Sequence, residues 1–96
     1  MAPFEIDSTP DAVRLRLNFE VTIEQARALH TALLTALNPV RPLEMDPAAL
    51  TRIDAAVLQV LLAAAQLAPR AFLTAPSSVW TAALERHGAA DPFFQS

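Results

Sequence analysis

This 96-residue sequence predicts an α/β domain with elements in the order ββαβαβα. Three observations carry that expectation. Residues from Ala12 to Val21 alternate between apolar and polar, three later segments have helical spacing with recognisable caps, and short apolar runs stand between those segments. Helices alternating with short apolar strands argue for parallel crossovers, and the leading pair of strands adds one antiparallel hairpin, so the sheet is mixed.

The elements follow in order. Val13, Leu15, Leu17, Phe19 and Val21 alternate with Arg14, Arg16, Asn18 and Glu20. Period two over this length marks a strand with one buried face. Pro10-Asp11 reads as a turn pairing this strand with a short one around Phe4-Glu5-Ile6. Thr22-Ile23-Glu24-Gln25 then fits a capping box that starts the first helix. That helix should run to about Leu37, where Asn38-Pro39 ends it. Ile23, Ala26, Leu29, Leu33, Ala36 and Leu37 form its apolar stripe, and Arg27, His30, Thr31 and Thr35 line the other side.

Pro42 to Asp46 is a short strand, and Pro47 to Arg52 reads as a connecting loop. A second helix begins near Asp54, its expected N-cap, and ends before Pro69. Ala71 to Thr74 is a further short strand. Ser77 or Ser78 caps a third helix, which stops at Gly88, a C′ glycine.

Composition bounds the function. The length suits one domain over residues 1–96, and 53% apolar content excludes disorder. A net charge of −3 gives no field to gather nucleic acid or anionic lipid. Without cysteine, disulfides, thiol catalysis and cysteine metal sites are excluded. The N-terminus lacks the pattern of a signal peptide, and the uncharged stretch from Ala55 to Pro69 is too short to span a bilayer. A soluble, cytoplasmic protein is expected.

Catalytic chemistry is scarce. His30 and His87 have no acidic or cysteine neighbour at ligand spacing, and a lone Gly88 cannot build a phosphate loop. No catalytic residue, metal site or cofactor is expected. Asp46 and Asp54 are the one carboxylate pair worth weighing, at the strand end and helix start where α/β proteins place sites. They could form an acidic ligand site, or Asp54 could simply cap its helix.

The second helix is the most informative segment. Val57, Leu61 and Ala64 point one way, flanked by Leu58 and Val60, while Ala55, Gln59, Leu62 and Gln66 lie opposite. Surface helices normally carry charge on that side. Either another element of the domain covers this face or a partner protein does.

The stretch Leu43-Glu44-Met45-Asp46, a short loop and Ile53-Asp54-Ala55-Ala56-Val57-Leu58-Gln59-Val60-Leu61 resembles the central motif of STAS domains, the family of anti-sigma-factor antagonists. Phe72 to Val79, the third helix, Gly88 and the closing Phe93-Phe94 fit as well. The resemblance implies four or five strands with helices mainly on one face. It also implies a non-enzymatic regulatory module that binds a serine-kinase anti-sigma factor or related regulator. Two positions depart from the family pattern. Ala55 stands where phospho-switched members carry serine or threonine, so the usual phosphoacceptor is missing, and Val57 stands where glycine is usual.

The partner-binding residues expected on this basis are Asp54, Ala55, Ala56, Leu58, Gln59 and Leu62. The alternative is an accessory STAS subunit of a phospholipid-transport ABC complex, docked through the same helix on the nucleotide-binding subunit.

Overall fold

The structure, a computed structural model, describes residues 2–37 and 40–95. These form β1 (Phe4–Ser8), β2 (Val13–Val21), α1 (Ile23–Ala36), β3 (Leu43–Ile53), α2 (Ala55–Leu67), β4 (Ala71–Leu73), α3 (Ser78–Arg86) and β5 (Phe94–Gln95). The five strands make one sheet in the order β1-β2-β3-β4-β5. β1 is antiparallel to β2, and every later neighbour is parallel. Because β2 to β5 follow one another without reversal, right-handed crossovers put all three helices on the same face. The expected mixed α/β sheet, with its ββαβαβα order, is what the chain forms, and β5 completes it after α3.

Local chemistry explains each boundary. In the β1–β2 turn, Thr9 Oγ1 donates to the Ala12 carbonyl at 3.0 Å and accepts the Ala12 N–H at 3.1 Å. At the start of α1, Gln25 Oε1 accepts the Thr22 N–H at 2.9 Å, the reciprocal half of a capping box. α1 ends at Ala36; the proposed stop at Asn38-Pro39 lies outside the described residues. Ser77 is the serine that caps α3, its hydroxyl accepting the Trp80 N–H at 3.1 Å. Gly88 follows α3 with φ +60, and the Ala89 N–H reaches back to the Leu84 carbonyl at 2.9 Å. That six-to-one bond is the Schellman closure, which needs a left-handed residue at this position.

β3 corrects the expected loop at Pro47 to Arg52. Those residues continue the strand, which reaches Ile53 beside the full length of β2. β3 uses eleven residues against nine in β2, and the pairing shifts twice, opposite Leu17 and between Leu50 and Arg52. Each shift is a bulge that leaves an extra β3 residue unpaired. Pro47 falls in the first, where its missing N–H costs no ladder bond. Asp46 Oδ1 supports that bulge by accepting the Ala48 N–H at 3.0 Å.

The bulges also disturb β2. Phe19 was expected in the core but is 53% exposed, with a left-handed φ of +52, while Asn18 is buried instead. Asn18 Nδ2 donates to the Ala2 carbonyl at 2.9 Å and to Glu5 Oε2 at 3.1 Å, so both donors of its buried amide group are satisfied.

The core lies between the sheet and the helices: Val13, Leu15, Leu17, Met45, Leu29, Leu33, Val57, Leu61 and Trp80 are essentially solvent-free. Ile23, placed in the α1 stripe by its spacing, is 69% exposed because it begins the helix beyond the edge of this core. The opposite face of the sheet is uncovered and charged. Arg14 pairs in register with Asp7 and Glu44, and Arg16 with Glu5 and Asp46. Arg14 Nε lies 3.1 Å from Glu44 and Arg16 Nε 3.8 Å from Asp46.

Candidate functional site

β2 and β3 end level with each other, Val21 opposite Ile53, and each passes into its helix through one residue, Thr22 or Asp54. The starts of α1 and α2 therefore stand side by side at the C-terminal end of the parallel strands, where α/β folds place their sites. The Asp54 N–H donates to the Val21 carbonyl at 3.4 Å. Asp54 has the extended backbone of an N-cap, but its carboxylate makes no bond to α2. Oδ2 accepts the Ile23 N–H at 3.0 Å instead, and Oδ1 lies 3.8 Å from Arg52 Nε. The expected local cap is thus a cap on the neighbouring helix.

Asp46 does not join it. Its side chain lies on the uncovered face beside Arg16, and the six residue steps from Arg16 to Thr22, at about 3.3 Å each, set Asp46 and Asp54 roughly 20 Å apart along the sheet. The acidic ligand site weighed from the sequence is not formed. Among the described residues no group of three acidic or histidine side chains is placed to hold a metal. His30 and His87 are both exposed.

Ala55 opens α2 with its methyl group in solvent. The helix buries Val57, Leu58, Leu61, Ala64 and Ala65, and exposes Ala55, Gln59, Ala63, Gln66 and Leu67. Two assignments change. Leu58, expected at a partner contact, is fully buried and unavailable to one. Leu62, expected on the free face, is half-buried and packs at the margin of the core. α2 has α1 on one side and α3 on the other, so its buried arc is wider than one stripe. Asp54 and Ala56 are half-buried, and Gln59 is exposed.

The exposed strip runs into a shallow groove of about 410 Å³ between α1 and α2, lined by Ala26, Arg27, His30, Gln59, Val60 and Ala63. Ala63 and Leu67, the latter 60% exposed, extend the strip beyond the residues first singled out. The signal for Ala63 was present in its spacing, four residues after Gln59 on the same side.

Residues 4–91 match the family model described as Mlab, STAS domain. The chain belongs to the STAS domain family. Among solved structures, the STAS fold seen here is similar to the anti-sigma factor antagonist SpoIIAA in its unphosphorylated form, at 20% identity and TM-score 0.65, covering 97% of this chain and 86% of that one. It is also similar to the phosphorylated form of SpoIIAA, the Bacillus cell fate determinant, at 14% identity and TM-score 0.70 over 97% of this chain and 90% of that one. A Shewanella loihica protein with a SpoIIAA-like fold is similar at 14% identity and TM-score 0.56, over 97% and 83%. Among curated proteins no sequence matches the chain. No helix of the described residues is long and apolar enough to cross a membrane.

Proposed function

We propose that this STAS domain is a single-domain, cytoplasmic, non-enzymatic module of the anti-sigma-factor-antagonist type, which binds a serine-kinase anti-sigma factor or related regulator. The contact face comprises Asp54, Ala55, Ala56 and Gln59, with Leu62 at its margin and Ala63 and Leu67 extending it. One observation carries the reading: α2 has no charged residue from Ala55 to Leu67, yet one side of it faces solvent. A solvent-facing strip of alanine, leucine and uncharged glutamine loses little hydration on contact with another protein, and its small side chains permit close approach. Ala55 offers no hydroxyl, so the complex is not switched by phosphate at this position.

A second reading uses the same face. An accessory subunit of a phospholipid-transport ABC complex, docked permanently on the nucleotide-binding subunit, needs no phosphate switch, which Ala55 accommodates. Calorimetric titration with each purified candidate from the source genome separates the two. Binding to the serine kinase alone supports antagonist function, and binding to the nucleotide-binding subunit alone supports the transporter role. Binding to neither contradicts both.

A further inference from the structure

A groove of about 670 Å³ lies on the other side of Ala55 from the α1–α2 groove, between the end of β3 and the exposed side of α3. Its charged lining is Arg52, Arg86 and Asp54, with the His87 imidazole beside them. The chain as a whole is acidic at −3, yet two of its seven arginines and one of its two histidines collect here, against a single carboxylate among the described residues. That carboxylate is already engaged, by the Ile23 N–H at 3.0 Å and by Arg52 at 3.8 Å. Among the described residues the side chains of Arg86 and His87 have no ion-pair or hydrogen-bond partner. The remaining walls are the aliphatic side chains of Ile53, Ala55, Val79 and Ala82, with the hydroxyl side chains of Thr51 and Ser78 beside them.

We infer that this groove receives an acidic segment of the protein partner, with glutamate or aspartate side chains on Arg86 and His87 and a small apolar side chain against Val79 and Ala82. The inference rests on the reading that the partner docks at the start of α2, and it names the chemistry of what docks there. Charge complementarity decides the sign of the occupant, because an exposed guanidinium forms its strongest hydrogen bonds with anionic oxygens, those of carboxylate or phosphate. The walls decide its class. Among the described residues no aromatic ring lines the groove to stack a base, whereas the aliphatic part of its walls suits an apolar side chain. An arginine without a partner in the free protein also raises the association rate of an acidic surface and makes that rate salt-sensitive.

The test uses the full chain and two synthetic peptides, acetyl-Glu-Leu-Glu-Glu-Leu-Asp-amide and its counterpart with lysine at every acidic position. Amide shifts are followed by NMR at low salt. The acidic peptide should give saturable shifts at Ala55, Ser78, Ala82 and Arg86, with affinity falling at least about tenfold in 0.5 M NaCl and similarly in Arg86→Glu, while Arg86→Lys retains most of it. The lysine peptide should leave these amides unmoved.

Equal binding of the two peptides, unchanged affinity in Arg86→Glu, or shifts centred on Arg14 and Arg16 would overturn the assignment. So would a nucleoside diphosphate saturating the same amides more tightly than the acidic peptide. The peptide titration needs no partner, so it can fail while the α2 reading stands. If a purified partner binds Gln59→Glu as tightly as the parent, the underlying reading has failed.

Discussion

The Asp54 carboxylate accepts the backbone N–H of Ile23 at 3.0 Å, so the residue that precedes the second helix caps the first. This bond, together with the Val21–Ile53 register, locks the starts of α1 and α2 at one height beside the exposed strip of α2. A carboxylate here also lies near the positive ends of both helices. The site is thereby held on two helices and two strand ends rather than on a mobile loop.

Substitutions at Asp54 should reveal that bond. Asp54→Ala removes a cap and should cost about 0.5–2 kcal/mol, while Asp54→Asn, which keeps an acceptor of the same reach, should retain most of it. Asp54→Ser can cap only its own helix, because its hydroxyl is too short to reach Ile23, and should fall between the two. Urea unfolding of the three variants ranks them. Equal stability of the alanine and asparagine variants would mean that the bond to Ile23 contributes nothing.

Gly88 offers a test of backbone conformation isolated from packing. Its φ is +60, and a Cβ added there would meet no atom within 4 Å. Gly88→Ala should therefore cost about 1–2 kcal/mol through the left-handed backbone alone, and Gly88→Asn should cost less. A loss beyond about 3 kcal/mol, read by urea unfolding, would show that the glycine relieves a steric contact instead.

Asp91 ties the C-terminal segment to the core. Its Oδ2 accepts the Trp80 indole N–H at 3.3 Å, and its Oδ1 accepts the Phe93 N–H at 2.9 Å. Trp80 is fully buried, and Phe93 packs edge-on against it with centroids 5.5 Å apart. Asp91→Ala leaves a buried donor unpaired and should cost about 1–3 kcal/mol. Because Trp80 is the chain's one tryptophan, its fluorescence reports the site. The parent should emit in the blue and resist acrylamide quenching, and Asp91→Ala should become more quenchable below its melting transition. Unchanged quenching and stability would refute the link.

How much of this was legible in the sequence depends on whether the deciding contact is local. The strand from Val13 to Leu17, the first capping box and the Ser77 and Gly88 caps each depend on residues a few positions apart, and each forms where its spacing placed it. Pro47 reads as a strand breaker, yet a bulge removes the need for its N–H; only the pairing with β2 reveals that. Asn18 and Phe19 exchange places for the same reason. Asp54 was legible as a cap, but its recipient lies 31 residues earlier in the chain.

α2 was the hardest element to orient. With no charge to mark its solvent side, Leu58, beside the core face, and Leu62, opposite it, were both expected at the partner contact, and the flanking helices decide that one is buried and the other marginal. The same lack of charge was nevertheless what drew attention to the helix as a contact face.

The central claim, that the exposed strip of α2 binds a protein partner, is tested most directly by a calorimetric titration of Gln59→Glu with the purified partner, beside the parent chain. Gln59 is exposed and makes no side-chain hydrogen bond among those described, so a charge there should leave stability within about 0.5 kcal/mol. Burying that charge in an apolar interface should nevertheless weaken binding at least about tenfold, or about 1.4 kcal/mol. A Gln59→Glu variant that unfolds like the parent and binds its partner with the parent's affinity would contradict the account.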